Sequence, residues 1–291
     1  MNLRYFRYQL SSLADRLQAW GQGSTFVELS GDALAAFPLV VPPLATQRAI
    51  ADYLDRETSR IDALIAAKRR MVELLEERVR LMAYALTTSH GDTVPLRRLV
   101  RAVKTGTTPP TEELARLSDG PIPWYSPGDV SEWLQLTAPV RTLKADVISE
   151  GWVPKFPPES TLIIGIGATA GKIAFLDHFA SGNQQMTCLV PGSRVVPRFL
   201  SWQLLARRDE IVATAPFTTL PIINNEFVRS LSMVIPPITK QLEIAGHLDI
   251  EARRAQALAE CAEKQATLLQ ERRQALITAA VTGQLDILEA A

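Results

Sequence analysis

"VPPLATQRAIADYLDRETSRIDALIAAKRRMVELLEERVRLMAYALTTSHGD", residues 41–92, decides how this chain folds, because the chain contains it twice. It aligns without gaps on "IPPITKQLEIAGHLDIEARRAQALAECAEKQATLLQERRQALITAAVTGQLD", residues 235–286, at a constant offset of 194 (236 − 42). Both copies hold Pro-Pro, a Gln four residues later, an Ile-Ala and a Leu-Asp pair, and a late Leu-Leu-x-Glu-Arg. Upstream, "RYFRYQL" (4–10) falls on "RFLSWQL" (198–204) at the same offset. A repeat of this period defines modules. The first residues are therefore expected to be the end of one module, with a complete second module after them.

Each copy predicts one long helix. Pro42-Pro43 and Pro236-Pro237 suit a helix start, where a missing N–H costs nothing, and no proline follows until Pro95 or the chain end. Ile50, Leu54, Ile61, Leu64, Met71, Leu75 and Met82 keep a three-four spacing in the first copy; Ile244, Leu248, Ala255, Leu258, Ala262, Leu269 and Leu276 occupy the corresponding stripe in the second. At 1.5 Å per residue such a helix runs to roughly 60 Å, too long to be buried in one small core. The narrow seam asks for a partner helix. Two homologous helices in one chain are expected to pair with each other and fix the spacing of the modules they join.

Residues 93–236 have another character: short β-like runs, many prolines and glycines, and an amphipathic "PRFLSWQLLARRDEIVATA". "TLIIGIGATAGK" (161–172) admits three readings. A phosphate loop fails, since Ile166 stands five residues before Gly171 and Ile173 replaces the required hydroxyl. Gly165, Gly167 and Ala170 fit a dinucleotide fingerprint, but "KIAFLDHF" continues as a strand where a helix is required. The remaining reading is two strands joined by a tight small-residue turn. The whole predicts an α+β globule.

Charge is balanced, Lys+Arg and Asp+Glu being 31 each, so no global basic field marks a non-specific nucleic-acid binder. The central segment carries 14 Lys+Arg against 12 Asp+Glu, a net of +2, and residues 237–291 carry 6 against 8. Two cysteines and three scattered histidines argue against a disulfide scaffold or a metal cluster and for a reducing compartment. The amino terminus lacks a signal-peptide core and no eighteen-residue apolar run occurs, so a cytoplasmic, membrane-free protein is expected. No Asn/Asp-Pro-Pro-aromatic stretch, His-Glu-x-x-His, G-x-S-x-G or carboxylate-lysine nuclease cluster occurs, and no catalysis is expected of this chain. Loop residues able to bond base edges and phosphates are Lys104, Thr105, Thr107, Trp124, Tyr125, Ser126, Lys155, Lys172, Asn183, Gln184, Gln185, Thr218, Thr219, Asn224 and Asn225. Each has a structural alternative, as turn former, core plug or solvated charge.

The duplicated "PPLATQRAIADYLDRETSRIDALI…LLEER" and "PPITKQLEIAGHLDIEARRAQALA…LLQERR", with "IPWYSPGDV", "STLIIGIGATAGKIA" and "NQQ" between them, resemble the specificity subunit of type I restriction-modification systems. The resemblance covers nearly the whole chain. It implies target-recognition domains joined by two long conserved helices that pack as an antiparallel coiled coil. It also implies double-stranded DNA as target, docking of methyltransferase (modification) subunits and of a restriction/motor subunit, and S-adenosylmethionine, ATP and Mg on those partners rather than here. The domains expected are a remnant of a first recognition domain (1–40), a long helix (41–92), a complete recognition domain (93–236) and a second helix (237–291). Since such a subunit has two full recognition domains, the chain is expected to begin within the first, which leaves three readings open: a partial subunit that pairs with a second copy of itself or an amino-terminal half subunit, a product of recombination between specificity cassettes, or a start codon placed too late. Two other classes remain open: a coiled-coil assembly protein whose inner domain binds protein or RNA, and a partial subunit without function. A nucleotide-using enzyme built on the glycine stretch is a third.

Overall fold

The structure, a computed structural model, describes residues 1–21, 29–113, 118–216, 220–285 and 287. Thr218 and Thr219 lie outside the described residues. The chain divides into two compact units, Met1–Glu73 with Leu258–Ala291, and Leu74–Ala257.

The first unit contains α1 (Leu3–Ser12), α2 (Ala14–Trp20), α3 (Gly31–Ala35) and the beginning of α4 (Leu44–Thr88). Asn2 caps α1 by accepting from the Arg4 and Tyr5 amides, and Ser30 caps α3 through the Ala33 amide. Tyr5 and Tyr8 share a core with Ile50, Ala51 and Leu54 of α4 and with Ile277, Ala280 and Val281 near the end of the last helix (Ile238–Val281). Further along α4, Ile61 and Ile65 meet Ala266, and the Arg273 guanidinium forms an ion pair with Asp62 at 2.8 Å. Low numbers on α4 thus face high numbers on the last helix, and within this unit the two run antiparallel.

The seam differs from its expected course at three positions: Leu64, Met71 and Leu258 are exposed. The buried stripe runs instead through Ile61 and Ile65, packed with Ala266 on a stretch of the last helix where Ala259 and Ala262 are buried too. Alanines let helix backbones approach closely, which narrows the contact and leaves larger neighbours on its flanks. Leu269 and Leu276 pack there half-buried.

The second unit is α+β. A ladder of β1 (Asp92–Pro95) and a strand at Ser232–Ile235 stands beside a four-stranded antiparallel sheet. That sheet has β2 (Val100–Thr105) at one edge, then the strand Met186–Pro191, then β5 (Ser160–Ile164) and β6 (Ile173–Leu176). Between β2 and β5, β3 (Ser118–Tyr125) and β4 (Arg141–Leu143) build a smaller sheet, completed by β7 (Ser181–Gly182) in parallel with β3. After it, α5 spans Asp146–Ser149, and past β7 the strand Met186–Pro191 is β8. Then α6 (Pro197–Ala206), α7 (Arg208–Thr214) and α8 (Asn225–Ser230) precede β9 (Ser232–Ile235) and α9, the last helix.

Every residue of β5 is buried, because the sheet is covered on both sides. On one side Ile163, Ile173 and Leu189 join Leu200 and Leu204 of α6, Ile211 of α7, Val228 of α8, and Val79 and Ala83 of α4. Leu248, Ala252 and Ala255 of α9 belong to this core, while Leu75 and Met82 are partly buried against it. On the other side Leu162, Ile164, Leu176 and Cys188 pack with Tyr125 and Phe156.

The glycine stretch joins β5 to β6 as a hairpin, so the dinucleotide pattern lacks its strand-to-helix setting. Its connection is a loop over residues 165–172 rather than a tight turn. Gly171, at φ +83°, explains part of this, since a Cβ there would lie 2.4 Å from Val212 of α7.

The internal repeat extends to single hydrogen bonds, all at the offset of 194. Gln47 donates to the Pro42 carbonyl (2.7 Å) and accepts the Asn2 amide (2.9 Å); Gln241 donates to Pro236 (2.8 Å) and accepts Val196 (2.8 Å). Arg4 donates to Asp55 as Arg198 does to Asp249. Gln9 reaches the Val40 carbonyl at 2.7 Å and Gln203 the Val234 carbonyl at 2.9 Å. Helices α1, α2 and α3 correspond to α6, α7 and α8, with Ser30 and Asn224 as matching caps. The Pro-Pro-x-x-x-Gln signature is thus a clamp in which the glutamine ties the helix start to the segment before it.

Candidate nucleic-acid interface

One end of the four-stranded sheet in the second unit gathers loops with free polar groups. Strand β2 delivers Thr105, the β5–β6 loop delivers Gly165 and Ile166, the turn before β8 delivers Gln184, and the start of α8 delivers Asn224, Asn225 and Glu226. They line an open depression of about 420 Å³. A second depression, of about 610 Å³, shares Asn225 and Glu226 and is completed by Arg97, Arg229 and Ser230. The two depressions adjoin at Asn225 and Glu226.

Local chemistry sets this surface. Asn224 is spent on capping α8, its Oδ1 accepting the Phe227 amide at 2.8 Å. Asn225 accepts from Thr105 at 3.1 Å, which leaves its Nδ2 without a protein partner among the described residues. Gln184 accepts from the Thr108 hydroxyl and likewise keeps its amide nitrogen open. Lys104 donates to the Lys155 carbonyl at 3.1 Å, and Lys155 lies 4.0 Å from the ring of the exposed Phe179. Thr107 is exposed, its amide bonded to the Gly182 carbonyl at 2.9 Å. Gln185 bridges to the Ile166 carbonyl at 3.3 Å.

Five of the residues named from sequence are buried or held by protein partners and do not line these depressions. Trp124 is buried against Leu143, Val147 and Val153, its indole donating to the Thr107 carbonyl at 3.1 Å. Tyr125 is buried, with its hydroxyl 2.9 Å from His178; burial, then Asp177 and Asp129, raise its pKa and keep it protonated. Ser126 bonds Asp129 and starts a 3-10 turn. Asn183 is buried, its Oδ1 holding the Gln185 amide. Lys172 pairs with Glu132 at 2.6 Å, on a carboxylate that Arg208 also contacts at 2.8 Å, so its ammonium is held by the protein. An aromatic or amide in a loop satisfies its buried polar atoms first. Close approach explains the remaining order here, since a Cβ on Gly106 would sit 2.2 Å from the Gly182 and Asn183 carbonyls.

Residues missed in the sequence are Arg97, Arg98, Arg101 and Arg229, all exposed and without an acidic partner among the described residues. Arg97 and Arg98 sit on a 3-10 turn that packs against α8, while Arg101 occupies the bulge of β2. Only the pairing of distant segments brings Arg229 beside Arg97. Unpaired guanidiniums beside open amide donors match what phosphate contact and base-edge reading require. The nearby thiol offers no nucleophile, as burial pushes Cys188 up to about 11.

The second unit is thus an α+β module packed against stretches of both long helices, with an open loop surface at one end of its sheet. The family model for the type I restriction modification DNA specificity domain matches residues 2–74 and 92–262. The chain belongs to this family. Its fold is shared with a solved structure from work on complex assembly and conformational transition of the type I R-M system, at TM-score 0.71 and 16% identity over 96% of this chain and 68% of that one. The HsdS subunit from Thermoanaerobacter tengcongensis is similar at TM-score 0.50 and 15% identity, over 98% of this chain and 71% of that one.

Proposed function

We propose that this chain reads DNA sequence for a type I restriction-modification complex and performs no chemistry itself. The observation that carries this reading is the surface of Arg97, Arg229, Gln184 and Asn225, where unpaired cations adjoin free amide groups. The arginines hold phosphates and set register, while the amides discriminate base edges. Helices α4 and α9 offer docking faces for methyltransferase subunits, with a restriction/motor subunit joining them; S-adenosylmethionine, ATP and Mg belong to those partners. No helix among the described residues is long and apolar enough to cross a membrane.

Co-expression with the methyltransferase subunit of its own system, followed by mapping of N6-methyladenine in host DNA, tests the reading. A defined motif that disappears with Arg97→Ala plus Arg229→Ala supports it. A stable complex that methylates no motif overturns it.

A further inference from the structure

Glu226 stands at the lip shared by the two depressions, exposed and without a protein partner among the described residues. Arg229 follows it by one turn on α8 and lines the same depression, as Arg97 does. At this three-residue spacing Arg70 with Glu73, Arg207 with Glu210, Lys240 with Glu243 and Glu251 with Arg254 close ion pairs at 2.6–2.8 Å. Glu226 and Arg229 do not, so one carboxylate and two guanidiniums line the same open space with their charges unpaired.

Beside DNA a carboxylate is an adverse choice, because phosphates repel it and it can only accept hydrogen bonds. It is tolerated where it meets a donor. In the major groove those donors are the N4 amino group of cytosine and the N6 amino group of adenine, whereas guanine and thymine present only acceptors there. Adenine sets its N7 acceptor next to the amino group, which suits an amide better than a carboxylate; cytosine sets no acceptor of its own there. Asn225 supplies the complementary group. Its Oδ1 accepts from Thr105 at 3.1 Å and from Thr187 at 3.5 Å, so the group it turns to a ligand is Nδ2, a donor. A donor next to an acceptor matches guanine O6 next to cytosine N4 across one C·G pair.

We propose that Glu226 is a specificity-determining residue that accepts from the N4 amino group of a cytosine in the major groove, with Asn225 Nδ2 donating to O6 of the paired guanine. Arg97 and Arg229 hold the flanking phosphates and offset the repulsion between the carboxylate and the DNA backbone. This inference rests on the DNA-reading role proposed above and deepens it by naming the base pair. The first turn of a helix also favours a carboxylate electrostatically, but that role is indifferent to base identity.

The test compares the wild-type chain with Glu226→Ala and Glu226→Gln, each co-expressed with the methyltransferase subunit of its own system, by mapping N6-methyladenine. The purified complexes are then titrated with duplexes in which each motif cytosine in turn is replaced by 2-pyrimidinone, which lacks the amino group. The wild-type motif is expected to hold a C·G pair that Glu226→Ala relaxes and Glu226→Gln relaxes or shifts towards A·T. Removing the amino group at that pair should weaken wild-type binding about fivefold or more and Glu226→Ala binding far less. The double comparison cancels any general loss of affinity, including that from weaker pairing of the analogue. A wild-type motif without a C·G pair, variants that keep the wild-type motif at any yield, or equal losses in both complexes overturns the proposal and leaves the DNA-reading role standing. Absence of any wild-type motif overturns both. Should the two variants fail to assemble, Glu226→Asp, which keeps the carboxylate but shortens its reach, takes their place in the same comparison.

Discussion

The indole N–H of Trp202 donates to the Asp249 carboxylate from 2.8 Å, and the Arg198 guanidinium shares that oxygen from the same distance. In the first unit Tyr8 donates to Asp55 at 2.7 Å but also lies 3.1 Å from the Thr58 hydroxyl. The two contacts are homologous, yet only Tyr8 has a reserve partner. Asp249→Ala should therefore cost about 1–3 kcal/mol by stranding a buried donor, and Asp55→Ala under about 1 kcal/mol. Hydrogen exchange at α6 and α1 amides measures the two locally; a larger effect at α1 contradicts this account.

Acid should weaken the first unit through Asp55. Burial opposes ionisation there, but the Tyr8 hydroxyl and the Arg4 guanidinium outweigh it, and the carboxyl titrates below its usual value. A folded-state pKa below the unfolded one gives stability that is present above the unfolded pKa, about 3.9, and is lost as pH falls through the folded value. Exchange protection of α1 should thus decline below about pH 4, and Asp55→Asn should flatten that decline.

The course of the helix seam is open to direct test. Ile61 is buried against Ile65 and Ala266, whereas Leu64 points outward. Ile61→Ala should destabilise the first unit by about 2–4 kcal/mol and Leu64→Ala by less than about 0.5 kcal/mol, measured by denaturant titration. Equal costs would restore the course drawn from the three-four spacing.

For DNA, the two groups of surface residues should separate. Arg97→Ala and Arg229→Ala should weaken binding about equally across sequences, each lowering the salt slope by about 1. Asn225→Ala should instead relax the methylated motif at one position, at about 1–3 kcal/mol. Binding isotherms at several salt concentrations, with methylation mapping, distinguish these outcomes; a sequence-specific effect at Arg97 reverses the assignment.

Much of the architecture is written locally. Pro42-Pro43 and Pro236-Pro237 mark the starts of the long helices, and the gapless repeat shows that they are homologous. The β-like runs on either side of the glycines pair as the hairpin. Side-chain environment was less legible. Leu64 and Ile65 are adjacent and equally apolar, so choosing the buried one requires the alanines of a helix some two hundred residues away. Trp124 and Asn183 look like polar loop residues until the packing beneath them is known. Arg97 and Arg229 carry no local motif; their proximity is created by the fold.

The duplicated glutamine clamp has a consequence for inheritance. Gln47 and Gln241 make the same bonds to the segments that precede them, so each helix start accepts either upstream segment with its ties intact. A genetic exchange within either Pro-Pro-x-x-x-Gln stretch joins new upstream sequence to an unchanged socket. Selection on such a gene can replace what is recognised while the joint that holds it stays the same.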